Sequence, residues 1–379
     1  MMNRIEYFQE QLNSSTMDAV VINPGASLKY LTGLDFHLME RPVILFISKR
    51  DKPRIILPKL EVAKLEDLDS EIQPYLFGDD PSQWGLVFQE ALAAFQGKAL
   101  RVGVEPTRLR FLELSFLRQV LPQADFIDGS ALFSGLRMHK DENEIKKMRR
   151  AAEIAENALL ATLRKVRIGQ TEKEIAAELL IQLYQHGSDQ ELPFAPIVST
   201  GPNSANPHAS PTDRKLAEGD LLLIDWGASF EGYASDITRC FYLENLPDRM
   251  RDVAETVQRA NHYAVSAGKM GMKAGEIDHI ARQEIEESGY GDYFIHRTGH
   301  GLGMEAHEPP FIFADNDQIL EKGMVFTVEP GIYLPGEGGV RIEDDVVVTE
   351  EGLLSLTSLP REVMTIDRYL KLMDLFTNL

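Results

Sequence analysis

Apolar residues follow two different rhythms along this chain, and the change comes at about one third of its length. In the first part, short β-branched or leucine-rich runs occur at Ala19–Ile22, Val43–Ile47, Ile55–Leu57, Ile72–Leu76 and Val102–Val104. Helical spacing separates them, chiefly over Leu86–Phe95 and Phe111–Leu121. This alternation predicts an α/β domain with a mixed sheet over residues 1–135. No glycine-rich phosphate loop follows its first strand, so the expected role is packing or covering a site, not nucleotide binding.

A boundary falls at Gly135–Lys140, and residues 136–379 form a second domain of different design. Asp141 and Glu144 make a capping box, and Ile145, Met148, Ala152, Ala155, Leu159, Leu163 and Val166 line one helical face behind it, ended by Gly169. Thr171 and Glu174 cap a second helix through Ile175, Leu179 and Leu183 to Gly187. The same plan then recurs. Val253, Val257, Ala260 and Ala264 mark a third helix ending near Gly268–Gly271; Ile277, Ile280, Ala281 and Ile285 mark a fourth, ended by Gly289. Gly169–Ile175 aligns with Gly271–Ile277 at an offset of 102, and Gly219–Gly227 aligns with Gly323–Gly331 at 104. Two near-equal offsets predict a duplicated helix–helix–strand unit folded about a pseudo-twofold axis.

The repeat places an acid at matching strand ends. Leu221–Ile224 precede Asp225, and Val325, Phe326 and Val328 precede Glu329. A second acid follows each on a return strand: Asp236 after 11 residues and Glu343 after 14. Both spacings suit hairpins with glycine in the loop. Alternation puts Asp236 with Thr238 on one face and Arg341 with Glu343 on another. Four carboxylates converging in an apolar sheet repel one another unless cations neutralise them. Two divalent ions supply the matching charge. In His296-Arg-Thr-Gly-His300-Gly-Leu-Gly303 the glycines argue against a helix and for a loop that brings His300 to the ions. Oxygen donors with one imidazole suit manganese first, with cobalt or zinc as alternatives. Such ions sit ~3.5–4 Å apart and share a hydroxide in many hydrolases. Taken singly, each residue has a plainer explanation: a strand-end turn, a surface ion pair, or a loop histidine at His208 or His307. Together on a duplicated scaffold they favour a site.

Composition narrows the classes. Of 379 residues, 44% are hydrophobic and 26% charged, and 39 basic against 59 acidic residues give a net charge of −20. No basic patch offsets that charge, so neither nucleic acid nor an anionic membrane surface is an expected partner. Cys240 is the sole cysteine, which excludes intrachain disulfides and zinc sites built from several thiolates. With no apolar run of ~18 residues and no signal-peptide pattern, a soluble cytoplasmic protein is expected.

Several motifs occur in a set order. Asn203-Ser-Ala-Asn-Pro-His208, Leu223-Ile-Asp-Trp-Gly227, Ser235-Asp-Ile-Thr-Arg239 and Gly299-His-Gly-Leu-Gly303 come first. His307-Glu-Pro309, Val328-Glu-Pro-Gly331 and Gly339-Val-Arg-Ile-Glu-Asp344 follow. As a set they resemble the Xaa-Pro peptidases (aminopeptidase P and prolidase), which share the pita-bread fold with methionine aminopeptidase. Residues 1–135, with Tyr30-Leu-Thr-Gly33, resemble that family's creatinase-like domain. The resemblance implies an α/β (α+β) chain that hydrolyses Xaa-Pro bonds of dipeptides or short peptides through a metal-bridging hydroxide. It implies that Asp225, Asp236, His300, Glu329 and Glu343 ligate two metals, with Asp236 and Glu343 bridging. It implies Glu329 as general base, His208 and His307 on the substrate carbonyl and leaving nitrogen, Arg341 orienting the carboxylates, and His296 lining the site. It also implies a homodimer, with Phe36 and His37 as candidates for reaching the partner's site. Some prolidases carry an arginine just after the His-Glu-x-Pro segment, which here reads His307-Glu-Pro-Pro-Phe311 with none nearby. The competing readings are a metal-dependent lyase or non-peptidase C–N hydrolase on the same scaffold, and a peptide-binding pseudoenzyme; the intact ligand set speaks against the last.

Overall fold

The computed structural model describes residues 4–66 and 72–377, and its contacts divide the chain into two units, Met1–Arg137 and Met138–Leu379. In the first unit, helices α1 (Arg4–Ser14) and α2 (Ala26–Thr32) flank strand β1 (Ala19–Ile22) in sequence. β2 (Ile44–Ser48), β3 (Arg54–Pro58), β4 (Gln73–Phe77), α3 (Trp84–Ala91), β5 (Arg101–Val104), α4 (Phe111–Val120), β6 (Asp125–Asp128) and α5 (Ser130–Arg137) follow. The sheet order is β4-β3-β2-β1-β5-β6. It is mixed: β1–β2 and β2–β3 are antiparallel, and the other neighbours are parallel.

Side chains alternate across a strand, so a doubly covered sheet needs an unbroken apolar run. β1 supplies one. Val20 and Ile22 pack with Phe8, Leu12, Leu28 and Phe133 of α1, α2 and α5. Ala19 and Val21 pack with Phe88 and Leu117 of α3 and α4 on the other face. Phe36 lies in the first of these cores, 6% exposed and beneath the Lys64 ammonium at 4.8 Å. That burial removes it as a side chain reaching toward a partner, whereas His37 is exposed.

The second unit opens with α6 (Glu142–Leu163) and α7 (Glu172–Gln185), and both expected capping boxes form at Asp141 and Thr171. α6 stops at Leu163, so Val166 packs from beyond the helix end. β7 (Ile197–Thr200), β8 (Leu222–Trp226), the short pair β9 (Ser229–Phe230) and β10 (Tyr233–Ala234), and β11 (Ile237–Tyr242) come next. Helices α8 (Asp248–Ala267) and α9 (Ala274–Glu287) then repeat the opening pair. β12 (Gly299–Gly301), β13 (Glu308–Ile312), β14 (Val325–Val328), β15 (Gly331–Leu334), β16 (Gly338–Arg341) and β17 (Asp344–Val348) follow. β18 (Leu353–Ser355), β19 (Met364–Thr365) and α10 (Ile366–Thr377) close the chain.

Two sheets run β19-β11-β8-β7 and β13-β12-β14-β17-β18. The duplication is visible in their central hairpins: β8 pairs antiparallel with β11, and β14 with β17. Each carries a small antiparallel ribbon at its tip, β9–β10 in one and β15–β16 in the other. β8 shows how the core is shared. Leu222 and Ile224 pack on the side of α6 and α7, while Leu223 packs with α8 and α9. Among the described residues no helix is long and apolar enough to cross a membrane.

Candidate metal centre

The two hairpins meet where Thr238 of β11 bridges to Glu343, next to β17. Asp225 lies within β8, opposite Thr238 in the ladder. The other three acids occupy breaks between strands. Asp236 precedes β11, Glu329 sits between β14 and β15, and Glu343 between β16 and β17. Strand alternation is suspended at such breaks, which lets acids from separate strands point into one space.

His300 arrives on β12, a short strand and not the loop its glycines predicted. The glycines are needed because neighbouring backbone comes very close. A Cβ on residue 299 would lie 1.8 Å from the Thr327 carbonyl oxygen, and one on residue 301 would lie 2.3 Å from that of Pro309. His300 Nδ1 lies 3.2 Å from the Gly301 carbonyl oxygen, which can only accept. Nδ1 therefore carries the proton, and Nε2 presents its lone pair 3.4 Å from Glu329 Oε1 and 3.7 Å from Asp236 Oδ2. Burial, then the neighbouring His307, hold this imidazole neutral, well below its usual pKa.

The nine residues expected at the metal and substrate site from residues 136–379 line one cavity of about 780 Å³. Ligand atoms within 4.8 Å of one another form three overlapping groups: Asp225–Asp236–Glu343, His300–Glu329–Glu343, and Asp236–His300–His307. Asp236 and Glu343 each belong to two of them. Burial, reinforced by neighbouring carboxylates, pushes Asp236 and Glu343 well above the usual carboxylate range and raises Glu329 to about 7. Asp225 is also raised by burial, against the pull of Arg341. Its Oδ2 accepts from Arg341 Nη2 at 2.6 Å, while its buried Oδ1 accepts no hydrogen bond among the described residues. An orphaned carboxylate oxygen, mutually repelling acids and a directed imidazole lone pair fit divalent cations.

Arg341 is 3% exposed and fully engaged. Besides Asp225 it donates from Nη1 to the Tyr333 hydroxyl at 2.8 Å and from Nε to Thr238 Oγ1 at 3.0 Å. Thr238 Oγ1 in turn donates to Glu343 Oε2 at 2.5 Å. His296 lines the cavity with both ring nitrogens taken. Nδ1 donates to the Arg297 carbonyl at 2.7 Å, so Nε2 accepts from the Tyr333 hydroxyl at 2.9 Å. Burial, with Arg341 nearby, lowers its pKa to about 4. His208 and His307 are exposed at the cavity edge, and the His307 ring lies 4.0 Å from that of His300. Burial, then Arg297 and His208, lower the His307 pKa.

Sequence reasoning overlooked Tyr333, Arg297 and the apolar stretch Pro193–Ile197, which also borders the cavity. The Arg297 guanidinium sits 4.4 Å over the Phe311 ring, and among the described residues it has no carboxylate within salt-bridge range. Its position beside His296 in the glycine-rich motif was the one available signal.

Residues 146–350 match the family model described as metallopeptidase family M24, and residues 4–139 match the creatinase/prolidase N-terminal domain. The chain belongs to metallopeptidase family M24. It is 36% identical over 365 residues to a Xaa-Pro dipeptidase of Lactobacillus delbrueckii subsp. lactis, covering 95% of this chain and 98% of that protein. The crystal structure of a dipeptidase from Pyrococcus horikoshii OT3 superimposes with a TM-score of 0.90 at 38% identity, covering 96% of this chain and 99% of that one. A recombinant prolidase from Thermococcus sibiricus gives 0.91 at 34% identity over the same shares. Membership of M24 makes this chain a metal-dependent peptidase whose catalytic unit has the pita-bread architecture.

Proposed function

We propose that this M24 member cleaves the Xaa-Pro bond of dipeptides and short peptides, using two divalent ions held by Asp225, Asp236, His300, Glu329 and Glu343. The observation that carries this reading is the overlap of the ligand groups, in which Asp236, Glu343 and His300 are each shared by two. Manganese suits a donor set of four carboxylates and one imidazole. The names of the similar dipeptidase and prolidase support the bond type.

The bound ions supply Lewis acidity and an activated water; the remaining chemistry belongs to the chain. Glu329, ionised when cations neutralise the carboxylates around it, is suited to take a proton from water and pass it to the departing nitrogen. That transfer matters because a proline amide nitrogen has no hydrogen of its own. His208 and His307 stand at the cavity edge to donate to the substrate carbonyl oxygen as charge develops there. Pro193, Phe194 and Pro196 offer apolar surface to a pyrrolidine ring. The Arg297 guanidinium, which attracts Glu329 without a carboxylate in salt-bridge range among the described residues, offers a fork for a free carboxylate, which favours dipeptides.

Chelator-treated protein is expected to lose Ala-Pro hydrolysis and to regain it with Mn²⁺, cleaving Ala-Pro faster than Ala-Pro-Ala and leaving Ala-Ala intact. Undiminished turnover after metal removal would overturn the assignment.

A further inference from the structure

We propose that Glu172 is a positioning residue for His208, its buried carboxylate fastening both ends of the segment that carries this histidine. The proposal rests on the reading of His208 as a substrate contact. Glu172 is the first residue of α7 and is fully buried. Its Oε1 accepts from Thr200 N at 2.7 Å, Thr200 Oγ1 at 3.0 Å and Asn203 Nδ2 at 3.0 Å. Its Oε2 accepts from Asn203 Nδ2 at 3.1 Å, Thr212 N at 2.9 Å and Thr212 Oγ1 at 2.6 Å. Two of these three partners precede His208 and one follows it, so a single side chain closes the base of the loop.

Helix capping does not require this arrangement. Thr171 and Glu174 already form the capping box, and the Glu172 backbone N–H is taken by the Arg214 carbonyl at 3.0 Å. Among the described residues no cation within salt-bridge range explains it either, although Arg214 is near enough to attract the carboxylate. The nearby Arg214 guanidinium goes to Asp220 at 2.6 and 2.9 Å and to Thr200 Oγ1 at 2.6 Å. A buried carboxylate is costly unless donors surround it, and here every donor comes from the chain on either side of His208. The helix N-terminus favours the same negative charge.

Within the segment, regular structure is limited to one 3-10 turn, Gly201–Ala205. Beyond it, the His208 N–H donates to Asn206 Oδ1 at 3.1 Å, and Arg341 Nη1 reaches the Pro207 carbonyl at 3.4 Å. The middle of the segment is also held, by the Gly339 N–H on Ser204 Oγ at 2.8 Å and the Ala209 N–H on the Asn206 carbonyl at 3.1 Å. Glu172 adds the ties at its two ends, which complete the placement of an exposed His208. In Glu172→Gln one acceptor oxygen becomes an N–H₂ facing donors, and that end of the loop is released.

The test is a double-mutant cycle on the metal-loaded enzyme. Glu172→Gln is expected to lower kcat/KM for Ala-Pro by about 10–100-fold, the scale of a catalytic contact displaced by an ångström, with bound metal per subunit unchanged. In a His208→Ala background the same change should cost less than about twofold, because the contact it serves is gone. An equal loss in both backgrounds would show a general structural role and overturn the proposal. Amide hydrogen exchange across residues 200–212 is expected to quicken in Glu172→Gln while the remainder of the catalytic unit keeps its protection; unchanged exchange also overturns it. Thr212→Val, which removes one donor, serves if Glu172→Gln does not fold, with a smaller effect of the same sign. If His208→Ala leaves hydrolysis unaltered, the role given to His208 fails and the positioning claim falls with it, even where exchange shows the loop is fastened.

Discussion

Thr238 Oγ1 donates to Glu343 Oε2 at 2.5 Å and accepts from Arg341 Nε at 3.0 Å, so one hydroxyl orders a candidate bridging ligand and the arginine beside it. Thr238→Val keeps the shape and deletes both bonds. Losing a partner that orients a ligand typically costs 10–100-fold in metal affinity or activity. We expect Mn²⁺ affinity, followed by calorimetric titration of metal-free protein, to weaken by about that factor. An unchanged titration would remove Thr238 from the centre's support.

Acidity should affect the metal-free protein in an unusual direction. Glu329 has a folded-state pKa raised from 4.5 to about 7, chiefly by burial, and Asp236 and Glu343 are raised as well. A carboxyl whose pKa is raised on folding stabilises the fold while protonated, and that contribution is lost as pH climbs from 4.5 through about 7. His296, His300 and His307, whose pKa values are lowered on folding, pull the opposite way, so the carboxyl share is read against Glu329→Gln. In chelator the wild type is expected to lose more melting temperature than the variant between pH 5.5 and pH 8. Saturating Mn²⁺ should stabilise most at the higher pH, where the bare carboxylates repel. An equal change in the two proteins would contradict the shift assigned to Glu329.

Arg297 is the permanent cation bordering the cavity that has no carboxylate of its own among the described residues. Arg297→Gln is expected to raise KM for Ala-Pro by about tenfold or more, the range of a lost charge-assisted hydrogen bond. Hydrolysis of Ala-Pro-amide, which lacks the carboxylate, should hardly change. Parallel losses on both substrates would assign the residue to packing over Phe311 or to its charge beside Glu329, and would remove it as the carboxylate contact.

Gly299→Ala tests the close approach that builds β12. The added methyl meets the Thr327 carbonyl oxygen at 1.8 Å, a backbone atom that cannot swing aside. Overpacking of this kind costs about 1–3 kcal/mol, so the melting temperature should drop by several degrees. Metal affinity should fall as well, since His300 is the next residue. Wild-type stability in this variant would mean that the strands stand farther apart.

Much of this was legible in the sequence because it was local. The capping boxes at Asp141 and Thr171 announced their helices through residues three positions apart. The near-equal offsets exposed the duplication, and with it the pairing of Asp225 with Glu329. What escaped was set by distant parts of the chain. α1 buries only Ile5, Phe8 and Leu12, too sparse a face to stand out before the sheet it covers is known. β6, reading Asp-Phe-Ile-Asp, has too little apolar run to register as a strand. β12 is a strand because β13 and β14 lie beside it, a circumstance that its own glycines concealed. Tyr333 lies between His296 and Arg341, and Glu172 gathers Thr200, Asn203 and Thr212. Neither cluster follows from any spacing rule.

The crossing of the mirrored hairpins has a consequence for assembly. Asp225 and Asp236 come from the first copy of the repeat, and His300, Glu329 and Glu343 from the second. Severed from its twin, the first copy would keep only Asp225 and Asp236 and the second only the His300–Glu329–Glu343 group, so neither could hold the pair of ions. A full pair of cations therefore requires both duplicated halves in place, which ties the reactive core to the integrity of the whole catalytic unit.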